Sequence, residues 1–234
     1  MNGKIMPADS YIVASNKDWH LDSFSYLKSL VPGDWYYVDT PEKLKEQLNR
    51  ITPRYIFFLH WSWLVPESIW KDIECVCFHM TDLPYGRGGS PLQNLILKGH
   101  RETKLTALQM VKELDAGPVY AKTPLSLKGT AEEIYKRAGQ LSLEVIPWLI
   151  RENPEPVAQK GSPVLFERRR PEQSRIDSGQ DSKALYDFIR MLDAPGYPKA
   201  FLESEGFKLE FSNARWENDR LVADVCFNNL SEDS

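Results

Sequence analysis

The sequence predicts an α/β protein, a mostly parallel twisted sheet flanked by helices and followed by a small C-terminal α+β module. Three observations carry the prediction. Over the first 125 residues or so, short apolar runs rich in β-branched and aromatic residues alternate with polar stretches of helical spacing. One of those runs, RYIFFL, is almost continuously apolar, as strands covered by helices on both faces are. At 234 residues with 42% hydrophobic and 26% charged side chains, the chain is long enough to bury a core without disulfide stapling.

The elements follow in order. YIVAS (11–15) reads as a strand, and LDSFSYLKSL as a helix with Leu21, Phe24, Leu27 and Leu30 on one face. DWYYV (34–38) is the next strand. Pro41 opens a helix carrying Leu44, Leu48 and Ile51. RYIFFL (54–59) and IECVCF (73–78) are two further strands, and PLQNLILKG is a short helix. TKLTALQMV and PVYAKTPLSL read as strands around the turn KELDAG. Thr130 and Glu133 have capping-box spacing, so a long helix with Ile134, Ala138, Leu141, Val145 and Leu149 in one stripe is expected, kinked or thinned at its end by Pro147. From Arg151 to Asp181 the composition turns to Pro, Gly, Ser and charge, an extended surface connection. The helix SKALYDFIRML and two strand-like stretches, GFKLEFSNA and RLVADVCF, separated by RWEND, complete the chain. The last two pair either within the chain or across a dimer interface. The domain reading is 1–152 for the catalytic domain and 153–234 for the linker and C-terminal module, with about seven strands in the main sheet.

Composition excludes several classes. The 29 Lys+Arg and 33 Asp+Glu leave a net charge of −4, with a sequence pI of about 5.7. That balance argues against a dedicated nucleic-acid binder. Three cysteines, Cys75, Cys77 and Cys226, are no secreted disulfide framework, which predicts a reducing, cytoplasmic setting. The opening MNGKIMPADS has no signal-type apolar stretch, and no run approaches the roughly 18 residues that span a bilayer.

The chemistry is concentrated in Cys75–Gly117. A strand ends at His79, and a loop holding Asp82, Pro84, Arg87, Gly88 and Gly89 leads to a helix starting at Pro91. In open α/β sheets ligands collect beyond the C-terminal ends of strands, which places His79 for acid–base work. Here the wording resembles the formyltetrahydrofolate-dependent formyltransferases. Their pattern Asn-x-His-Pro-Ser-Leu-Leu-Pro-x-Tyr-Arg-Gly aligns without a gap to Cys77-Phe-His79-Met-Thr-Asp-Leu-Pro84-Tyr-Gly-Arg87-Gly88. The Pro-Ile-Gln helix and Glu-Thr-Gly-Val-Thr strand correspond to Pro91-Leu-Gln93 and Glu102-Thr-Lys-Leu-Thr106. The Asp-Ala-Gly turn is Leu114-Asp115-Ala116-Gly117. FFLHWSWLVPESIW upstream, and FERRRPEQSRID with SKALYDFIRMLDAPGYPKAF downstream, extend the resemblance to most of the chain.

The resemblance implies a formyltransferase-type fold and transfer of formyl from N10-formyltetrahydrofolate to an amine. His79 is then the proton shuttle, Asp115 the carboxylate beside it, and Cys77 occupies the position of the family's catalytic Asn. A thiol is a weak donor, and losing one oxyanion donor costs about 10²–10³ in rate. Asn94 is a candidate replacement. Implied folate contacts are His60, Trp61, Ser62, Trp63, Arg87, Gly88, Leu114 and Asp115, although the tryptophans serve equally well as core. Implied substrate contacts are Asn16, Lys17, Trp19, Thr81 and Gly89. Asn16–His20 contains no G-x-G-x-x-G, so no dinucleotide site is read there.

Cys75, Cys77 and His79 alternate along one strand and share a face, which also suits a metal. No second Cys or His pair completes a ligand set, so the reading is small buried side chains and no metal. Arg168, Arg169 and Arg170 read as a solvated face. Charge and length together disfavour a tRNA substrate. The resemblance then favours a nucleotide-linked amino sugar, the nucleotide being UDP and the sugar of pseudaminic-acid type for surface or flagellar glycans. No nucleic-acid or membrane partner is expected, and a homodimer through the C-terminal strands is left open. A methionyl-tRNA formyltransferase and a non-catalytic folate or nucleotide-sugar binder are the alternatives.

Overall fold

A computed structural model describes residues 9–229. The chain forms β1 (Ser10–Ala14), α1 (His20–Leu30), β2 (Asp34–Val38), α2 (Pro41–Leu48), β3 (Tyr55–Leu59), α3 (Glu67–Trp70), β4 (Glu74–His79) and β5 (Tyr85–Gly88). Next come α4 (Pro91–Leu97), β6 (Glu102–Gln109), β7 (Val119–Ser126), α5 (Ala131–Glu152), β8 (Val164–Phe166), α6 (Ser182–Arg190), β9 (Ala200–Ser204), β10 (Phe207–Glu217) and β11 (Arg220–Asn229). They form two compact units. The first holds residues 9–87, Lys104–Leu125 and Lys136–Val164; the second holds Gly88–Thr103, Ser126–Tyr135 and residues 165–229.

The core of the first unit is a six-stranded sheet in the order β2-β1-β3-β4-β6-β7, one strand fewer than expected. β1 pairs parallel with β2 and β3, β3 pairs parallel with β4, and β4 meets β6 antiparallel. Every residue of β3 is buried, as its unbroken apolar run requires. Ile12, Ala14, Val38, Leu44, Ile56, Phe58 and Cys75 form a core cluster, against which Trp61, Ile69 and Trp70 pack. Thr40 caps α2 by accepting the Lys43 N–H at 3.2 Å, with Pro41 at the first helical position.

The capping box before α5 is present: Thr130 Oγ1 accepts the Glu133 N–H at 3.3 Å, and Glu133 Oε2 accepts the Thr130 N–H at 2.8 Å. Ile134, Ala138, Val145 and Leu149 are buried along it, and the helix continues past Pro147 to Glu152.

In the second unit, α6 packs on α4 and on β10, and β9, β10 and β11 form an antiparallel sheet in the order β11-β10-β9. The terminal strands therefore pair within the chain. The predicted RWEND turn is shorter than expected: β10 runs to Glu217, and Asn218 and Asp219, at φ +49° and +59°, make a two-residue hairpin turn. β9 was missed because PKAF precedes a stretch of charge. Arg190 is fully buried, and its guanidinium is spent on Leu127 O (2.7 Å), Gly129 O (2.9 Å) and Asp187 (2.7 Å).

Candidate active site

β4 delivers Cys75, Cys77 and His79 to one face, two residues apart. Cys75 belongs to the core cluster, and burial pushes its thiol up to about 12. His79 closes the strand with its side chain about nine-tenths buried, as is that of Asp115. Its Nε2 lies 2.7 Å from the Gly86 carbonyl, which can only accept, so Nε2 carries the proton of the neutral ring. Nδ1 then presents its lone pair toward Asp115, whose Oδ2 stands 3.6 Å away. The loop from 80 to 87 is tied down from several sides. Thr81 is fully buried, with its hydroxyl on Gly86 O at 3.2 Å and its carbonyl accepting from Thr106 Oγ1 at 2.6 Å. Asp82 meets Lys122 at 2.5 Å and Lys104 at 3.0 Å, and these lysines hold its carboxyl below the usual range against the opposing effect of burial.

Asp115 sits in the left-handed region at φ +53°, which Asp tolerates better than most residues. Gly117 is obligatory: a Cβ there would lie 1.8 Å from Gln109 O. The turn is braced by Gln159, whose Nε2 donates to Asp115 O and Gly117 O, both at 2.8 Å. Gln159 Oε1 accepts from Arg87 Nε at 3.1 Å and Nη2 at 2.8 Å. Sequence reasoning passed over Gln159, because one polar residue in EPVAQKG belongs to no motif.

Cys77 is partly buried beside this pair. Burial, then the Asp115 charge, then Cys75 all push its thiol upward, so it stays protonated and is no thiolate nucleophile. Asn94 does not offer its amide elsewhere: its two N–H groups are shared among Ser90 O (3.0 Å), Glu167 O (3.0 Å) and Gly89 O (3.1 Å). Leu114 is 60% exposed on the turn that holds Asp115.

The other predicted residues fall into two places. Gly88 and Gly89 lie in the second unit, where a Cβ would strike Phe166 O at 2.4 Å and Arg168 Cα at 2.5 Å; close backbone approach accounts for both glycines. His60, Trp61, Ser62, Trp63, Asn16, Lys17 and Trp19 gather past the ends of β1 and β3, where the strand order reverses. Asn16 Nδ2 donates to Ser62 Oγ at 3.2 Å, and Lys17 Nζ sits 5.5 Å from the Trp19 ring centre. Trp61 packs on Phe58, whereas Trp63 is 42% exposed. His20 Nε2 and His60 Nδ1 are 2.8 Å apart, a pair the sequence did not reveal; burial lowers His20 to about 4 and His60 well below its ordinary value. A cleft of about 360 Å³ near Trp70, Glu74, Gln109 and Pro154 lies at the start of β4, away from His79. Among the described residues, no group of three or more His, Cys, Asp or Glu is arranged to hold a metal, and no helix is long and apolar enough to cross a membrane.

A six-stranded sheet with reversed order at β1 and β3, and a His–Asp pair past β4, define a formyltransferase-type fold. The methionyl-tRNA formyltransferase from Clostridium thermocellum superposes with a TM-score of 0.91 at 41% identity, over 94% of this chain and 99% of that one. The chain belongs to the formyltransferase family. A family model described as the C-terminal domain of methionyl-tRNA formyltransferase matches residues 171–228. The methionyl-tRNA formyltransferase of a Nitratiruptor species is 27% identical over 173 residues, 72% of this chain and 56% of the relative. The chain thus spans little more than half the length of that relative. A 4-N formyltransferase from Francisella tularensis shares the fold at 16% identity and a TM-score of 0.69, over 88% of this chain and 97% of that one.

These similarities correct the expected partner. A nucleotide-linked amino sugar without nucleic acid is not what the more similar proteins are named for; those names specify methionyl-tRNA. Net charge and length do not decide the acceptor. Phosphate contacts depend on local cations rather than on the sum over the chain. A protein named as a tRNA enzyme is covered to 99% by this chain, so shortness excludes nothing.

Proposed function

We propose that this protein transfers the formyl group of N10-formyltetrahydrofolate to the amino group of methionyl-tRNA. The observation that carries the reading is the His79–Asp115 pair at the end of β4, within a chain 41% identical to a methionyl-tRNA formyltransferase. The donor set suits the chemistry. Formyl transfer needs a proton acceptor near neutrality, a charge partner for it and a donor toward the developing oxyanion.

His79 Nδ1 accepts the proton that the amine loses as its nitrogen bonds to the formyl carbon. The Gly86 carbonyl holds the ring tautomer for this, and Asp115 stabilises the imidazolium. His79 then returns the proton to the folate nitrogen as the old C–N bond breaks. Cys77 occupies the oxyanion-donor position and supplies only a weak S–H bond, which predicts slow chemistry. Arg87 and Leu114, with His60–Trp63, are the folate-side candidates; Asn16, Lys17 and Trp19 are the acceptor-side candidates.

The test is to incubate the protein with both substrates and follow tetrahydrofolate release together with formylation of the aminoacyl ester. His79→Ala should cut kcat by about 10²–10⁴-fold. Undiminished turnover in that variant removes His79 from the mechanism. One observation, the thiol at position 77, favours a second reading as a non-catalytic homologue. Folate binding without product, unchanged by Cys77→Asn, is the result that would select it.

A further inference from the structure

We infer that Gln159 is the positioning residue that locks the Asp115 turn to Arg87, and so holds the carboxylate against His79. The inference rests on the formyl-transfer reading and adds a group outside every matched motif. Gln159 lies in a segment whose neighbours are open to solvent, Val157 at 61% exposure among them, so core filling does not explain it. Its side chain nevertheless makes four hydrogen bonds, two donated to Asp115 O and Gly117 O and two accepted from Arg87. The backbone delivers it there. Val157 and Val119 exchange both hydrogen bonds, at 2.8 and 2.7 Å, which fixes the segment alongside the start of β7 just after the turn.

The turn needs that brace. Asp115 is at positive φ, Gly117 is pressed against Gln109 O, and Leu114 faces solvent, so Leu114 does not pin the turn into the core. A reacting group must be held closely, since small misplacements cost large factors in rate. One amide ties the carbonyls on either side of Ala116 to the guanidinium at the end of the His79 loop. Gln159 thereby sets two arms of the site with one side chain.

Two variants separate the arms. Gln159→Glu keeps an acceptor for Arg87 and loses the donor to both carbonyls; Gln159→Ala loses both. In Gln159→Glu, kcat should fall roughly tenfold, about 1.4 kcal/mol of barrier, with KM for N10-formyltetrahydrofolate unchanged. In Gln159→Ala, kcat should fall and that KM should rise. Amide hydrogen exchange at Ala116 and Gly117 should accelerate in both. Native kcat and native exchange in Gln159→Glu overturn the proposal, as does a loss confined to thermal stability. If the unsubstituted protein transfers no formyl group, the functional reading fails by itself. Exchange at Ala116 and Gly117 then still decides whether Gln159 holds the turn.

Discussion

His79, Asp115 and Cys77, the residues proposed to carry the chemistry, stand at one strand end and one turn, and their substitutions have separable effects. Asp115→Asn keeps the shape and removes the charge that stabilises a proton on His79 Nδ1, so kcat should drop at least tenfold while substrate KM holds. Cys77→Asn places an amide NH₂ where a protonated thiol now stands. It should raise kcat, by up to about 10²-fold, in a steady-state assay. A fall in kcat would mean that another group already supplies the oxyanion contact. His20 gives an independent pH signature. Its folded value, lowered by burial to about 4, lies beneath its ordinary 6.5, so the unfolded chain takes up a proton first as pH falls. The stability it contributes is complete above pH 6.5 and is lost as pH falls from 6.5 toward 4. Urea unfolding across that window should show His20→Gln falling less steeply than the native protein. Parallel curves would show that His20 does not titrate as the structure places it.

Elements whose signal is local were legible in the sequence. β3 is an unbroken apolar run, α2 has Pro41 behind a capping Thr40, and α5 has its capping box; each forms where the pattern puts it. Replacing Thr130 by Ala should cost about 1 kcal/mol in denaturant unfolding, as lost caps do. Elements fixed by distant partners were not legible. β8 spans only three residues, β9 opens a charged stretch, and Gln159 finds its role only once the chain returns past β7. The site divides in the same way. His79, Asp115 and Arg87, the residues proposed for the site, stand in one ordered stretch of sequence. The His20–His60 pair joins side chains forty residues apart, and the engagement of Asn94 depends on Glu167, so neither follows from spacing.

At the scale of the whole molecule, net charge does not report what one face of the protein does. A net charge of −4 says little about any one face, because counterions are released only where cations and phosphates touch. If tRNA is the acceptor, its affinity should fall steeply between about 50 and 200 mM salt, as read by filter binding. A salt-independent affinity would speak against phosphate contacts. One reaction decides whether formyl reaches methionyl-tRNA: the native protein, N10-formyltetrahydrofolate and methionyl-tRNA, with the formylated ester and tetrahydrofolate both quantified. One formylmethionyl-tRNA is expected per tetrahydrofolate released, with both products lost in His79→Ala. Release of tetrahydrofolate without formylated ester, or no turnover in the native protein or in Cys77→Asn, would contradict it.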